Sequence, residues 1–418
     1  MKNVIDCLRD RGLIDAVSSD ELQKRLDQPI KLYFGVDPTA ESMHLGNWVG
    51  IVVVSWFQRY GHFPLFLVGG ATARIGDPSG KSTERPLLSE EEIAKNVEAL
   101  RGQFEKVLGT AKIVDNYEWL GKLSLLDFLR DAGKHFRVGT MLSKESVKAR
   151  LQSEDGISFT EFSYQILQGY DFYHLFKHQG VELQLGGSDQ WGNITAGLEL
   201  IRKVEGKSAY CLTFPLLTRS DGKKFGKSEG GAVWLDEKKF SPYQFYQYLI
   251  GIPDADVIKM LKMLTFMPLE EIAELEKSMS SPSYSPNTAQ KKLAEELTRL
   301  IHGEEGLKRA LAATQAAAPG AETELSIEVL REVAKEIPHV SLSNDEIIGA
   351  KIVDLFVQLG LASSKSEAYR LIQSGGAYLN NQKLEDPHRK ASATDLIGGR
   401  YLLLAAGKKK KGLVELKA

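Results

Sequence analysis

Tyr33-Phe-Gly-Val-Asp-Pro-Thr-Ala-Glu-Ser-Met-His-Leu-Gly-Asn47 is the stretch whose reading decides the fold. Residues 31–36 carry β-branched and aromatic side chains and read as a short buried strand. Asp37-Pro38-Thr39 breaks that strand, and His44-Leu-Gly-Asn47 leads into the apolar run from Trp48 to Phe57. A strand, a polar break and a helix start together bring backbone N–H groups and a positive dipole end to one spot, which suits a phosphate. From these residues alone, His44 and Asn47 either act in chemistry there or cap the helix.

The same alternation continues along the chain. Pro64 to Gly70, Lys112 to Val114 and Gly180 to Gly187 read as strands, and Glu90 to Leu108, Leu125 to His135 and Ile194 to Val204 as helices. Asp6 to Gln28 reads as amphipathic helices ahead of the first strand. The expected fold is α/β, a Rossmann-like domain with a mainly parallel sheet whose ligand sits at the carboxyl ends of strands. Beyond Ser228 the reading is helical, over 242–249, 254–263, 269–278, 288–302 and 306–316, with no strand between. A linker-like break at 317–322 and a small α/β segment at 325–340 precede a last unit with helices at 348–359 and 364–373 and strands at 377–379 and 401–404. Asn380-Asn381 is a turn there.

Of the 418 residues, 43% are hydrophobic and 26% charged, which is ordinary for a soluble globular chain. No uninterrupted apolar run approaches a membrane span. The first ten residues hold acids and no apolar core, so no export or transit signal is expected and the location is read as cytoplasmic. Cys7 and Cys211 lie far apart without metal-ligand spacing and read as free thiols. The net charge of −2 is unevenly placed: residues 348–418 hold twelve Lys/Arg against six Asp/Glu, leaving 41 bases and 49 acids elsewhere. A basic end on an acidic body points to polyanion binding, although the run Lys408–Lys411 also reads as a solvated tail.

Four further clusters could carry chemistry. Gly76-Asp-Pro-Ser-Gly-Lys-Ser82 invites a phosphate-loop reading, but it has one residue too few for G-x-x-x-x-G-K-[ST], and Pro78 lacks the N–H. A P-loop is excluded, and no G-x-G-x-x-G follows a strand. Thr218-Arg-Ser-Asp-Gly-Lys-Lys-Phe-Gly-Lys-Ser228 is a cationic glycine-rich loop, able to clamp a polyphosphate or to be a surface turn. Gly186-Gly-Ser-Asp-Gln-Trp-Gly-Asn193 lets backbone approach a ligand closely, with Asp189 and Gln190 as acceptors, or forms a helix cap. On a helix, Tyr164, Gln168 and Asp171 fall at i, i+4 and i+7, a polar stripe in an apolar segment. Such a stripe needs partners, either a ligand with an amine and a hydroxyl or a network within the core.

Taken together and in this order, these clusters resemble class I aminoacyl-tRNA synthetases, most closely the bacterial-type tyrosyl branch, over nearly the whole chain. The matching segments are Gly35-Val-Asp-Pro-Thr-Ala40, His44–Asn47, Val68-Gly-Gly-Ala-Thr72 with Gly76–Lys81, Ser158–Tyr164, Gly186–Asn193 and Lys224–Ser228. His44–Asn47 stands at the family's HIGH motif and Lys224–Ser228 at its KMSKS-like loop. The resemblance implies ATP-dependent activation of L-tyrosine to tyrosyl-adenylate, then transfer to the 3′ end of tRNA(Tyr). Catalysis would be positioning and charge stabilisation without a protein nucleophile. It assigns the transition-state groups to Thr39, His44, Asn47, Lys81, Arg85, Lys224, Lys227 and Ser228. It assigns the ATP and adenylate contacts to Asp37, Gly46, Gly187, Asp189 and Lys227. Asp77, Tyr164 and Gln168 would take the α-ammonium, Gln190 would lie near the carboxylate, and Tyr33 and Asp171 would read the phenol. Phenylalanine would leave Asp171 unpaired and be rejected without editing.

Two positions depart from the family pattern. Asn47 replaces the second histidine of HIGH and cannot be cationic. Phe34 stands where cysteine is common, so a ribose contact from that side chain is lost. The implied domains are a catalytic domain at 1–228 with a dimer-forming insertion including Phe128 to Met141, an anticodon-recognition helical domain at 229–320, a linker at 321–347 and a ribosomal-protein-like α+β RNA-binding domain at 348–418. Implied partners are L-tyrosine, ATP with Mg2+, tRNA(Tyr) and a second copy of the chain, with no resident metal and no membrane. Three rivals are a tryptophanyl enzyme, for which indole would not demand the Tyr33/Asp171 pair, a synthetase-derived RNA-binding protein that no longer aminoacylates, and a small nucleotidyltransferase using HxGH-type chemistry, which explains neither the helical region nor the basic tail.

Overall fold

The computed structural model describes residues 3–417 apart from 81–82, 85, 110, 155, 221, 223–224, 229–230, 322–324, 335–336 and 408–409. For Leu108, Ser146, Lys227 and Ser228 it describes the backbone alone. The chain divides into two compact units, Met1–Asp236 with Pro253–Ala289, and Glu237–Ile252 with Gln290–Ala418.

The first unit is built on β1 (Ala16–Val17), β2 (Lys31–Val36), β3 (Phe63–Val68), β4 (Lys112–Asp115), β5 (Val181–Gly187) and β6 (Tyr210–Phe214). Their order in the sheet is β1-β6-β5-β2-β3-β4. Only β1 runs antiparallel to its neighbour. The chain moves from β2 outward through β3 to β4, then returns to the other side of β2 with β5 and β6. The crevice between β2 and β5 is thus the switch point, where an open α/β sheet takes its ligand.

Helix Leu45–Arg59 follows the break after β2 and buries residues all round, from Leu45 to Phe57, as a crossover helix between parallel strands must. Phe34 explains part of its sequence. A Cβ on Gly50 would lie 2.4 Å from the Phe34 ring, so the ring occupies the space over that glycine. Phe66 and Phe214 complete the cluster, at centroid distances of 6.2 and 5.9 Å.

Three elements differ from the sequence reading in this unit. The N-terminal stretch is not helical throughout: β1 separates helices Val4–Asp10 and Glu21–Arg25, because Asp15 and Ser18 donate backbone bonds to Thr213 and Cys211 across the sheet. A short ladder of β7 (Lys227–Ser228) and β8 (Gly231–Ala232) lies where no strand was expected. Helices Asp254–Leu264 and Leu269–Ser278 belong to this unit, apart from the other helices of 229–320. Polar anchors account for that: Trp48 Nε1 donates to the Leu264 carbonyl at 3.0 Å, and buried Arg11 donates to the carbonyls of Lys262, Thr265 and Met267. The Lys262, Leu264 and Thr265 carbonyls belong to a helix end that no intrahelical N–H reaches, and Met267 lies in the loop just beyond it.

The second unit holds helix Pro242–Ile250 and, from Gln290 on, helix Thr288–Ala316, the latter broken at Gly303 (φ +74°, ψ 178°), between the two helices read there. Beyond lie β9 (His339–Leu342), β10 (Ala377–Leu379), β11 (Gln382–Lys383), β12 (Tyr401–Ala406) and β13 (Lys410–Leu416), in the order β11-β10-β12-β13-β9. Helices Ile352–Gln358 and Lys365–Gln373 cover this sheet through Leu355, Phe356, Ala368 and Ile372, against Leu402 and Leu404. Asn380 and Asn381 both have positive φ, as a two-residue hairpin turn requires.

The stretch 321–347 is more than a linker. It holds helix Ile327–Ala334 and β9, which takes the open edge of β13 in parallel pairing. Lys410 and Lys411 are likewise not tail residues, since they begin β13, and burial lowers the Lys411 pKa. Lys408 and Lys409 lie outside the described residues.

Candidate active site

A cavity of about 470 Å³ opens at the carboxyl ends of β2 and β5. Its lining brings together Tyr33, Asp37, Thr39, His44, Gly46, Asn47, Asp77, Tyr164, Gln168, Asp171, Gly187, Asp189 and Gln190, from segments up to 157 residues apart. Of the other expected groups, Lys81, Arg85 and Lys224 lie outside the described residues. Lys227 and Ser228 are described as backbone in β7.

At the inner end Asp171 is 2% exposed. Its two carboxylate oxygens receive the Trp119 indole N–H at 2.7 Å and the Asn116 amide at 2.9 Å. Burial pushes its pKa up to about 8, against the opposing pull of those two donors. The Tyr33 hydroxyl, within electrostatic reach of Asp171, is buried and has no hydrogen-bond partner among the described residues. The same holds for the carbonyl oxygens of Gln168 and Gln184, both in the lining. An unpaired buried polar atom costs about 1–3 kcal/mol, so this end is built for a ligand that supplies both a donor and an acceptor.

A polar chain leads outward from Asp171. Asn116, fully buried, donates to Asp171 and to the Thr72 hydroxyl at 3.0 Å and accepts from the Ala71 N–H at 2.7 Å. Thr72 donates to Asp37 at 2.7 Å, and the Tyr164 hydroxyl donates to the other Asp37 oxygen at 2.8 Å. Burial, then the Asp37 charge, raises the Tyr164 pKa well above its ordinary value, so the phenol stays a donor. Beside it the buried Asp77 carboxylate accepts from the Ser79 N–H, Gln190 Nε2 and Asn193 Nδ2 at 3.0, 2.8 and 3.2 Å. Asp37 and Asp77 thus place two carboxylates at one side of the cavity, a surrounding that suits a cationic group.

The outer wall is the entry to helix Leu45–Arg59. His44 is its N-cap, and Asn47 Oδ1 accepts from the His44 N–H at 3.0 Å. Because an N–H needs an oxygen acceptor, this bond fixes the amide orientation and leaves Asn47 Nδ2 as the donor. A Cβ on residue 46 would sit 2.9 Å from the His44 imidazole, so glycine is needed for the ring to fold over the helix start. The lysine-bearing segment is fastened to this same place. Val233 donates to Gly226 and accepts from Leu45, while Leu235 donates to Met43.

Thr72, Asn116, Trp119, Gln184 and Asn193 are the site residues that sequence reasoning missed. Asn193 ends the Gly186–Asn193 cluster and Thr72 the Val68–Thr72 segment, so both had a signal, whereas nothing local marks Asn116, Trp119 or Gln184.

Residues 24–318 match the family model "tRNA synthetases class I (W and Y)", and residues 329–414 the model "Tyrosine--tRNA ligase SYY-like C-terminal domain". The tyrosine–tRNA ligase of Protochlamydia amoebophila is 54% identical over 100% of this chain and 99% of its own. The chloroplastic/mitochondrial tyrosine–tRNA ligase of Arabidopsis thaliana is 52% identical over 99% of this chain and 84% of its own. Among solved structures, a C-terminally truncated mitochondrial tyrosyl-tRNA synthetase of Aspergillus nidulans superposes with a TM-score of 0.66 at 33% identity, covering 74% of this chain and 92% of that one. With the sheet, the switch-point cavity and both family models in agreement, the chain belongs to the tyrosine–tRNA ligases of the class I tRNA synthetases.

Proposed function

We propose that the cavity is where L-tyrosine and ATP combine to form tyrosyl-adenylate. The observation that carries this reading is the pairing of the unpartnered Tyr33 hydroxyl with Asp171 at the buried end, which offers a substrate phenol one donor and one acceptor. Tyrosine would enter with its ring between β2 and helix Phe159–Gln179 and its α-ammonium among Asp77, Tyr164 and Gln168. Gln190 would lie near its carboxylate.

ATP enters as its Mg2+ complex, a substrate rather than a resident metal. The tyrosine carboxylate attacks the α-phosphorus, the acyl–phosphate bond forms, and pyrophosphate leaves with the electron pair of the broken P–O bond. Gly46, Gly187 and Asp189 would hold the nucleotide, with Asp37 beside the adenylate phosphate. Thr39, His44 and Asn47, with Lys81, Arg85, Lys224, Lys227 and Ser228, would stabilise the pentacoordinate phosphate and departing pyrophosphate. A terminal ribose hydroxyl of tRNA(Tyr) then attacks the carbonyl carbon and releases AMP.

ATP–pyrophosphate exchange tests this reading directly. Exchange is expected with tyrosine, and none above background with phenylalanine or tryptophan; exchange driven by tryptophan alone would overturn it. Asn47→His tests the outer wall. A histidine Nδ1 can accept the His44 N–H while Nε2 donates, so the activation rate should change and the tyrosine Kd should stay within about twofold. A large shift in that Kd would mean that the wall is wrongly assigned.

The remaining roles belong to the same proposal. Leu125, Leu126, Val138 and Phe159 are 61–79% exposed, an apolar concentration on the 125–159 segment that a second copy of the chain would cover. Sedimentation as a monomer at micromolar concentration would refute the dimer. The helices of 229–320 would approach the anticodon, and the basic module at 348–418 would grip tRNA phosphates, with affinity that falls as salt rises. No helix among the described residues is long and apolar enough to cross a membrane. A cytoplasmic location is part of the proposal, tested by fractionation of the source cells.

A further inference from the structure

We propose that His174 is a positioning residue for tyrosine selection: its imidazole, stacked face to face on Trp119, holds the indole N–H on Asp171. The inference rests on the reading of Asp171 as the partner of the substrate phenol.

Three observations support it. First, the rings of Trp119 and His174 lie 4.4 Å apart at an interplanar angle of 9°, a parallel stack, while Trp119 Nε1 donates to Asp171 Oδ1 at 2.7 Å. One indole therefore carries a hydrogen bond at its edge and a stack on its face. Second, Asp171 and His174 are three residues apart on helix Phe159–Gln179, so they share a face of one rigid element. Trp119 instead comes from the four-residue helix Tyr117–Leu120, which is too short to hold its own geometry. The χ2 torsion of a tryptophan is broad, and a flat partner on its face narrows it. The stack thus ties the angle of the donor to the helix that carries the acceptor.

Third, His174 is outside the lining of the cavity, and its own surroundings are aromatic. His178 lies at 4.5 Å and Tyr170 at 6.5 Å between centroids. Burial, with His178 beside it, pushes its pKa down to about 4. The ring on Trp119 is therefore neutral at pH 7, and the contact is aromatic stacking rather than a cation over a ring. It follows that a phenyl ring can replace the imidazole and a methyl group cannot.

The test compares His174→Ala, His174→Phe and Trp119→Phe in pyrophosphate exchange with tyrosine and phenylalanine. His174→Ala should raise the KM for tyrosine about tenfold, the scale of one misaligned hydrogen bond to a carboxylate, leave kcat within about twofold, and lower the tyrosine/phenylalanine selectivity about tenfold. His174→Phe should restore both values. Trp119→Phe keeps the stack and removes the donor, so it should show the same KM and selectivity losses. Adding His174→Ala to it should then change neither further.

If His174→Ala lowers Tm but leaves KM and selectivity unchanged while Trp119→Phe alters them, the positioning role is overturned and the phenol reading of Asp171 stands. If Trp119→Phe and Asp171→Asn both leave selectivity intact, the phenol reading itself has failed. If His174→Phe behaves as His174→Ala does, a polar contact of the imidazole is at work, and the stacking inference is overturned. Should His174→Ala not fold, the pair Trp119→Phe and His174→Phe/Trp119→Phe decides. Equal KM values in the two support the stack, and a further loss in the double variant overturns it.

Discussion

Asp171→Asn is expected to lower kcat/KM for tyrosine by about a hundredfold or more, although the two side chains have nearly the same shape. Both oxygens of Asp171 accept from N–H donors, Trp119 Nε1 on one and Asn116 Nδ2 on the other. A carboxamide has one acceptor oxygen, so its NH2 must face one of these donors. The Asn116 amide cannot turn to relieve the conflict, because its oxygen already accepts from the Ala71 N–H and its nitrogen donates to Thr72. The variant thus disturbs the hydrogen bond to the substrate phenol and leaves a buried donor unpaired, together about 3 kcal/mol. Pyrophosphate exchange reads this outcome. A loss of less than fivefold would show that Asp171 does not face the phenol.

The same substitution should alter stability in the opposite sense as pH rises. The Asp171 pKa is raised from 3.8 to about 8, chiefly by burial. Between those values the folded form keeps its proton and the unfolded form has lost it. Folding stability therefore falls as pH rises from about 4 to about 8, by at most about 1.4 kcal/mol per unit, and levels off above. Asparagine has no such proton. Urea unfolding of both proteins at pH 5, 6, 7 and 8 should show the wild type losing ground steadily to the variant. A constant difference between them would mean that Asp171 titrates in the ordinary carboxylate range.

The sequence was most readable where one short segment contains its own punctuation. Asp37-Pro38 ends β2, His44 caps the next helix, and the break between them faces the cavity. The Tyr164–Gln168–Asp171 stripe was readable for a similar reason, since helical spacing alone puts the three on one side. What could not be read were the bonds that join segments. The resemblance puts Tyr164 beside an amine, but nothing local announces that its hydroxyl donates to Asp37, 127 residues away. Asn116 and Trp119 sit in a stretch without polar periodicity, and their importance comes entirely from Asp171, 55 and 52 residues on. The edge strands β1 and β9 failed for the same reason: both are short, and only a partner distant in sequence makes them strands. Phe34 could be noticed as unusual from the sequence, but its fit over Gly50 needed the helix to be in place.

The largest expected effect on stability lies at the start of the helix that carries this stripe. Arg150 and Glu161 are 2% and 1% exposed and meet at 2.8 Å. Arg150 also donates to the Gly156 carbonyl at 2.8 Å, so it pins the turn ahead of helix Phe159–Gln179 as well as its first turn. The pair is incompletely satisfied even so, since Arg150 Nε and Glu161 Oε2 have no partner among the described residues. Glu161→Ala should lower folding stability by about 3–5 kcal/mol, because it leaves a guanidinium buried without its counter-charge. Arg150→Met should cost nearly as much for the converse reason. The double variant Arg150→Met/Glu161→Leu buries no charge and should recover most of the loss, so the two single effects should be far from additive in chemical denaturation. Additive losses would show that water reaches the pair and that each charge is solvated on its own. If the double variant is stable yet binds tyrosine weakly, the ion pair serves to set the register of the helix entry, one turn ahead of Tyr164, more than to hold the fold together.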